Sequence, residues 1–186
     1  LKDNNFEPFN NDYYSYIELS DVDSLGSICS NNKVLGKDLP SRARRLVSES
    51  DVLISSIEGS LQSCAVISKN LNKALCSTGF YVLNSSIINS ETLLMLFKSN
   101  LMQNLLKKNC SGTILTAINK VDFLDIPIPV IDTAIQSEIK TLIQGSFTLK
   151  EESKRLLDLA KQAVETAIEK DEQTAIKMLV KHGCSD

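Results

Sequence analysis

The chain has 186 residues, of which 42% are hydrophobic and 23% charged, so it can bury a core of its own without disulfides. This length predicts one domain, or one domain with an appended element. The formal net charge of −3 and the pI near 5.3 argue mildly against nucleic-acid binding, and no apolar stretch is long enough to predict a transmembrane helix.

Short strands are the main prediction for the first 130 residues. Residues 1–16 are polar and are interpreted as a loose lead-in. Beyond them, short apolar and β-branched runs broken by polar turns predict strands. These runs are Tyr16–Leu19, Val52–Ile57, Cys64–Ile67, Phe80–Leu83 and Phe123–Ile128. Between the last two, leucines at helical spacing predict one helix from Ser90 to about Lys108.

After Pro129 the pattern becomes that of a long helix. Between Thr133 and Val180 there is no proline and a single glycine, Gly145, which leaves the continuity of the helix open. Apolar residues in alternating steps of four and three form an imperfect heptad seam. The seam residues expected to meet a partner helix are Leu142, Leu149, Leu156, Ala160, Ala163 and Ala167. An amphipathic helix packed on its own domain is the other interpretation.

The fold class predicted from these elements is α+β, that is, mixed α/β. We expect a strand-rich domain at residues 1–130 and a long coiled-coil-like helical region at residues 131–186. The second region would act as a spacer or a dimerisation element.

The motifs of common enzyme sites are missing from the sequence. No GxGxxG, GxxxxGK[ST] or GxSxG pattern occurs, and the single histidine, His182, lies near the C-terminus. The five cysteines form no CxxC pair, so we expect free thiols, a reducing cytoplasmic location and no metal site. The sequence predicts a binding module that is not an enzyme and needs no cofactor.

Positive charge is concentrated in three segments despite the acidic total. Residues 33–45 carry three arginines and two lysines against one aspartate, Lys69 and Lys73 fall in a loop, and every charge between Glu91 and Asp122 is positive. A fold that collects these segments on one face would be basic there. The plainer interpretation is that they are solvated loops.

Five ordered blocks of the sequence resemble the specificity subunits of type I restriction-modification systems. The first is Leu39-Pro-Ser-Arg-Ala-Arg-Arg-Leu-Val-Ser-Glu-Ser-Asp-Val-Leu-Ile-Ser55, which is similar to a Pro-Ser-Arg-Ala-Arg run that leads into a Gly-Asp-Val-Leu-Ile-Ser strand. The others are Ser77-Thr-Gly-Phe-Tyr-Val-Leu83, the helix from Glu91 to Lys108, the block from Gly112 through Phe123-Leu-Asp-Ile-Pro-Ile-Pro129, and Gln136-Ser-Glu-Ile139. The sequence departs from the family pattern at Ser50, where a glycine is usual, and at Glu58-Gly59, where an arginine is frequent.

The resemblance, which covers roughly Tyr16 to Lys170, implies a DNA-reading role without catalysis. The first region would be a target recognition domain for one half of a bipartite site in double-stranded DNA. The helix would be the spacer on which methylation and restriction subunits dock. Because the family's full subunit has two recognition domains and two helices, the chain would correspond to half a subunit. It would then pair as a homodimer or with a second half-subunit, in the cytoplasm and away from membranes.

Readout of DNA needs polar groups that reach base edges and cations that fix the phosphates. The candidate DNA-binding residues are Asn31, Asn32, Lys33, Lys37, Ser41, Arg42, Arg44, Arg45, Lys69, Lys73, Lys107, Lys108, Asn109, Ser111 and Thr113. Gln62 and Ser63 are weaker candidates. In the arginine run, strand alternation also allows one arginine to point inward and pair with a carboxylate such as Asp51.

The alternative function is a protein-interaction domain on a coiled-coil stalk that binds no DNA. The low pI favours this alternative. The salt dependence of DNA binding separates the two, because phosphate contacts weaken steeply as salt rises.

Overall fold

The contacts of the chain divide it into two units, Leu1–Lys140 and Thr141–Asp186. The computed structural model describes residues 1–2, 4–29, 32–114 and 116–183, without the side chains of 182 and 183. The first unit combines strands with short helices, and the second is helical. The predicted fold class, mixed sheets and helices followed by a long C-terminal helix, is confirmed.

A four-stranded sheet in the order β2-β1-β6-β3 forms one layer of the first unit. Its strands are β1 (Tyr13–Ile17), β2 (Lys33–Leu35), β3 (Ala43–Leu46) and β6 (Leu75–Ser77). Strand β1 runs parallel to β6 and antiparallel to β2, and β3 runs antiparallel to β6. The outer strands of this sheet are therefore β2 and β3.

A three-stranded antiparallel sheet in the order β5-β4-β7 forms the next layer. Its strands are β4 (Val52–Ser55), β5 (Cys64–Val66) and β7 (Phe80–Leu83). All four residues of β4 are buried, which explains why its first three residues, Val52-Leu53-Ile54, are all apolar. Because side chains alternate along a strand, one face of this sheet contributes Leu53, Ala65 and Val82 to a core cluster shared with Ile17 and Cys76 of the first sheet.

Helices and a small hairpin complete the first unit. The helices are α1 (Ser90–Lys98), α2 (Asn100–Lys108) and α3 (Lys120–Leu124), and the hairpin joins β8 (Cys110–Ser111) to β9 (Ala117–Ile118). Helix α1 contacts β4 and β5, and Phe123 of α3 stacks on Tyr81 of β7 at a ring separation of 4.2 Å. The helices thus cover the second face of the three-stranded sheet.

Two predicted elements of this region differ in the structure because of capping side chains. The single helix predicted to run to Lys108 is broken at Ser99, whose backbone is extended and whose hydroxyl accepts the Met102 N–H at 3.3 Å to start α2. The strand predicted over Phe123–Ile128 is wrong. Asn119 accepts the Asp122 N–H at 3.0 Å and starts a short helix there instead.

The N-terminal segment is part of the fold and not the loose lead-in that its polarity predicted. Lys2 N–H donates to the carbonyl of Val82 on β7 at 2.8 Å, and Phe6 N–H donates to that of Arg44 on β3 at 2.7 Å. The segment therefore joins the edge of one sheet to the edge of the other. Lys2 also makes an ion pair with the buried Asp51 at 2.7 Å.

The C-terminal region contains α4 (Thr133–Glu169) and α5 (Glu172–Gly183). Helix α4 continues through Gly145, so this residue marks no break. The division between the two units falls inside α4, after the first ten residues of the predicted helical region. The first turns of α4 belong with the α/β unit because Gln136 is buried there and bonds the carbonyl of Ile87 and the N–H of Asn89. None of the helices in the described part of the chain is long and apolar enough to cross a membrane.

Gly36 is required by a close approach of two backbone segments. A Cβ added at this position would lie 2.0 Å from the carbonyl oxygen of Phe9. We expect Gly36→Ala to lower the free energy of unfolding by about 1–3 kcal/mol in urea denaturation, because backbone must shift to make room. Gly59→Ala is the control, since nothing lies within 4 Å of its added Cβ. Equal stabilities of the two variants would contradict this assignment.

Candidate nucleic-acid interface

The register of the strands brings several loops together where β4 ends. Ser56 donates from its N–H and its hydroxyl to the carbonyl of Gly79, at 2.9 and 2.8 Å. Glu58 N–H donates to Thr116 O at 3.0 Å, and Thr78 N–H donates to Arg42 O at 2.9 Å. We call this end of the sheets the exit edge, and it comprises residues 55–62, 77–79, 103–108, 111–114 and 116–118 together with Arg42.

The opposite end of β4 gathers a second set of loops. Ser50 N–H donates to Ile67 O, Lys73 N–H donates to Val47 O, and the Ser90 hydroxyl donates to Ser50 O. We call this end the entry edge, and it comprises residues 48–51, 67–73 and 84–90. Lys69 and Lys73 lie here, both exposed, and Lys73 has a left-handed backbone with φ of 67°. The structure therefore separates these two lysines from the cations of the exit edge.

Arg42 lies at the exit edge and is already paired within the chain. Its Nη2 donates to Glu18 Oε1 at 2.8 Å, and its Nε donates to the Tyr16 hydroxyl at 3.3 Å. The hydrogen bond to Glu18 raises the pKa of Arg42 above its ordinary value. The side chain remains 58% exposed, so the guanidinium is oriented and partly neutralised yet accessible.

Arg44 and Arg45 are built into β3. Arg44 is 27% exposed, lies 3.7 Å from Glu7 and donates to the carbonyl of Ala43. The Nε atom of Arg45 is buried. The inward partner of Asp51 is Lys2, not an arginine, and Asp51 also accepts hydrogen bonds from Ser48 N–H and Asn84 Nδ2. Both arginines therefore have contacts inside the fold. The sequence alone could not distinguish such contacts from contacts with DNA.

Lys107 and Lys108 end helix α2 at the exit edge, and both are exposed. Asn109 caps this helix, and its Nδ2 donates to Leu105 O at 2.9 Å, so that donor is used in the fold. Ser111 and Thr113 are exposed beside Gly112, whose φ of 130° is one that glycine adopts readily. These residues form a basic and polar border of the exit edge.

The remaining predicted residues lie along β2 and the turns that follow it. Lys33 begins this outer strand and Asn32 precedes it, and both are exposed. The carbonyl of Asn32 accepts the Tyr16 N–H at 3.2 Å. Lys37 is exposed in a turn that bonds back to Asn10, and Ser41 is exposed before β3. Asn31 lies outside the described residues. In the described part of the chain, none of the predicted lysines has an ion-pair partner.

A depression of about 560 Å³ occupies the exit edge. Its walls are formed by residues 58–62 and Thr116 on one side and by Gln103, Asn104 and Lys107 of α2 on the other. Lys98 holds the first wall, because its ammonium donates to Gln62 O at 2.8 Å and to Ser24 O at 3.1 Å. Burial lowers the pKa of Lys98. The sequence did not single out Glu58, Gln103, Asn104 or Lys98 as parts of one site.

The seam residues of the helical region differ in exposure. Leu142 and Leu149 are each 72% exposed and Leu156 is 41% exposed. Ala160 is also exposed, whereas Ala163 is 6% exposed and Ala167 is half-buried. Met178 of α5 lines a depression with Leu159 of α4, and Ala175 of α5 is buried. Helix α5 thus covers a stripe next to the predicted seam and leaves its N-terminal leucines open.

The exposed lysines on a rigid two-sheet core are typical of a binding domain. Among the described residues no group of three His, Cys, Asp or Glu side chains is placed to hold a metal ion.

Residues 2–157 match the model of the type I restriction modification DNA specificity domain, so the chain belongs to this family. Members of this class select DNA and carry out no catalysis, as the sequence predicted.

Solved structures show the same fold. One comes from work described as the structural basis underlying complex assembly and conformational transition of the type I R-M system. It is 24% identical to this chain with a TM-score of 0.66, and the match covers 91% of this chain and 43% of that chain. Another is the HsdS subunit from Thermoanaerobacter tengcongensis, with 26% identity and a TM-score of 0.64 over 90% of this chain and 44% of its own. The chain therefore spans less than half the length of these relatives. No curated protein matches it.

Proposed function

We propose that this chain reads one half of a bipartite site in double-stranded DNA and contributes helix α4 as a spacer on which methylation and restriction subunits dock. The observation that carries the proposal is the family match over residues 2–157, which spans the α/β unit and most of α4. The proposed site of action is the cytoplasm.

The length relation supports the half-site part of the proposal. The chain aligns with 43% and 44% of two solved relatives, as one recognition domain with one helix would. A second copy of the chain, or a second half-subunit, would supply the other domain and the other helix. Assembly would add contacts to DNA and so raise the affinity above that of one isolated chain.

The exposed polar residues at the exit edge support direct contact with DNA. Lys107 and Lys108 would neutralise phosphates, while Asn32, Lys33, Arg42, Ser111 and Thr113 border the same end of the first unit. Lys69 and Lys73 at the entry edge would then contact DNA only if the duplex passed along the sheets. Substitutions at the exit edge and at the entry edge are therefore expected to affect DNA binding differently.

Replacing both Lys107 and Lys108 with alanine is expected to weaken DNA binding similarly for all sequences, because phosphates carry no sequence information. The slope of log K against log salt should fall by about one per lost phosphate contact. Filter binding across a salt series measures this, using the full chain assembled with a methylation subunit. The matched comparison is the double alanine variant of Lys69 and Lys73.

A larger loss in the Lys69/Lys73 variant would move the interface to the entry edge. If neither double variant changed the affinity or the salt slope, the proposed DNA contact would be wrong. Absence of any salt-dependent DNA binding by the assembled wild-type protein would favour the protein-interaction alternative.

A further inference from the structure

The depression at the exit edge contains one group that a phosphate-binding surface does not explain. Glu58 is half-buried there, and its backbone N–H, not its carboxylate, bonds to Thr116. Within the described residues its carboxylate has no hydrogen-bond or ion-pair partner, and Lys107 lines the same depression without pairing with it. The negative charge of Glu58 also contributes to the raised pKa of the nearby Cys110 thiol, after burial of that thiol.

A carboxylate on a DNA-binding surface is repelled by phosphates, so it needs a donor from a base. In the major groove the exocyclic amino groups of cytosine and adenine are such donors, and glutamate accepts from cytosine N4. The loop that carries Glu58 is held in place, since the hydroxyls of Ser55 and Ser60 lie 3.0 Å apart and Lys98 binds Gln62 O. A loop whose backbone is already held loses little backbone conformational entropy when it binds.

The side chains that line the depression with Glu58 differ in the hydrogen-bonding groups that they leave available to DNA. Gln103 uses its Nε2 donors within the fold, on Leu61 O at 3.0 Å and Phe97 O at 2.7 Å, so it shapes the wall. Gln62 and Asn104 present amides on the two walls, and Lys107 supplies a cation at the rim. The depression thus combines an acceptor, amides and a cation on one surface.

We propose that Glu58 is a specificity-determining residue that accepts a hydrogen bond from the exocyclic amino group of one base, cytosine N4 or adenine N6, in the major groove. Lys107 contacts a flanking phosphate. This inference rests on the proposed DNA-reading function. It assigns to this position the choice of one letter of the half-site.

The test is Glu58→Met, measured by selection from randomised duplexes with the full chain assembled with a methylation subunit. Methionine keeps the length of the side chain and removes the carboxylate acceptor, and Glu58 supports the fold through its backbone, so the melting temperature should be unchanged. Preference for the amino-bearing base should fall by about 10-fold or more at one position and persist at the others. The preferred base at that position distinguishes cytosine from adenine.

Glu49→Met is the matched control, because Glu49 is an exposed glutamate at the entry edge. It removes the same carboxylate and should leave the base preference at every position as in the wild type. A duplex whose amino group is removed at the selected position should be bound equally by wild type and Glu58→Met, which closes a double-mutant cycle.

The two proposals fail in different ways. If the wild type selects a sequence and Glu58→Met selects the same one with the same strength, the role of Glu58 is wrong and the DNA-reading function stands. If the assembled wild type selects no sequence, the DNA-reading function fails and this inference fails with it.

Discussion

Asp51→Ala is expected to lower the free energy of unfolding by about 2–4 kcal/mol, since it removes a fully buried acceptor of several hydrogen bonds. Asp51 is 0% exposed and accepts from Lys2 Nζ at 2.7 Å, Ser48 N–H at 2.7 Å and Asn84 Nδ2 at 3.0 Å. It connects the N-terminal segment, the turn before β4 and the end of β7. Alanine leaves the donors of Ser48 and Asn84 without this acceptor.

Chemical denaturation of two further variants tests whether the lost hydrogen bonds of Asp51 cause this decrease in the free energy of unfolding. Lys2→Ala should cost less, about 1 kcal/mol or below, because the Lys2 side chain is 43% exposed and its ammonium is partly solvated. Asp51→Asn should fall between the two, since the amide keeps one acceptor oxygen. A loss below about 0.5 kcal/mol for Asp51→Ala, the usual range of surface changes, would show that Asp51 does not hold these segments together.

The sequence predicted the buried parts of the fold better than its outer strands. The strand β4 was predicted because a strand buried on both faces carries consecutive apolar residues, here Val52-Leu53-Ile54. Strands β2 and β6 have three residues each, and β3 contains Arg44 and Arg45, so their pairing depends on partners distant in sequence. No local pattern encodes that pairing.

The candidate site was partly visible in the sequence. The predicted lysines are all exposed, as their charge suggests, but the contacts of Arg42 and Arg44 with Glu18 and Glu7 depend on the tertiary fold. The role proposed for Glu58 requires residues 58–62 to meet helix α2, and that is a long-range contact. The one available signal was an acidic residue at a position where the resembling family frequently has arginine.

Leu149→Glu is expected to convert a dimer of this chain into a monomer. Leu142, Leu149 and Leu156 stay exposed along α4, and burying a leucine side chain contributes about 1.5–3 kcal/mol. An antiparallel pairing of two α4 helices would bury these leucines symmetrically. Glutamate at the centre of that seam would place an unpaired charge from each chain in an apolar contact, which costs several kcal/mol.

Light scattering of the full chain at tens of micromolar measures the change, and Lys154→Glu is its control. Lys154 is exposed on α4, five residues from Leu149 and so about 140° around the helix, away from the seam. This variant should remain dimeric even though it also introduces a glutamate. A monomeric wild type would show that the exposed leucines do not pair two copies. Loss of the dimer in both variants would place the contact outside the stripe of exposed leucines.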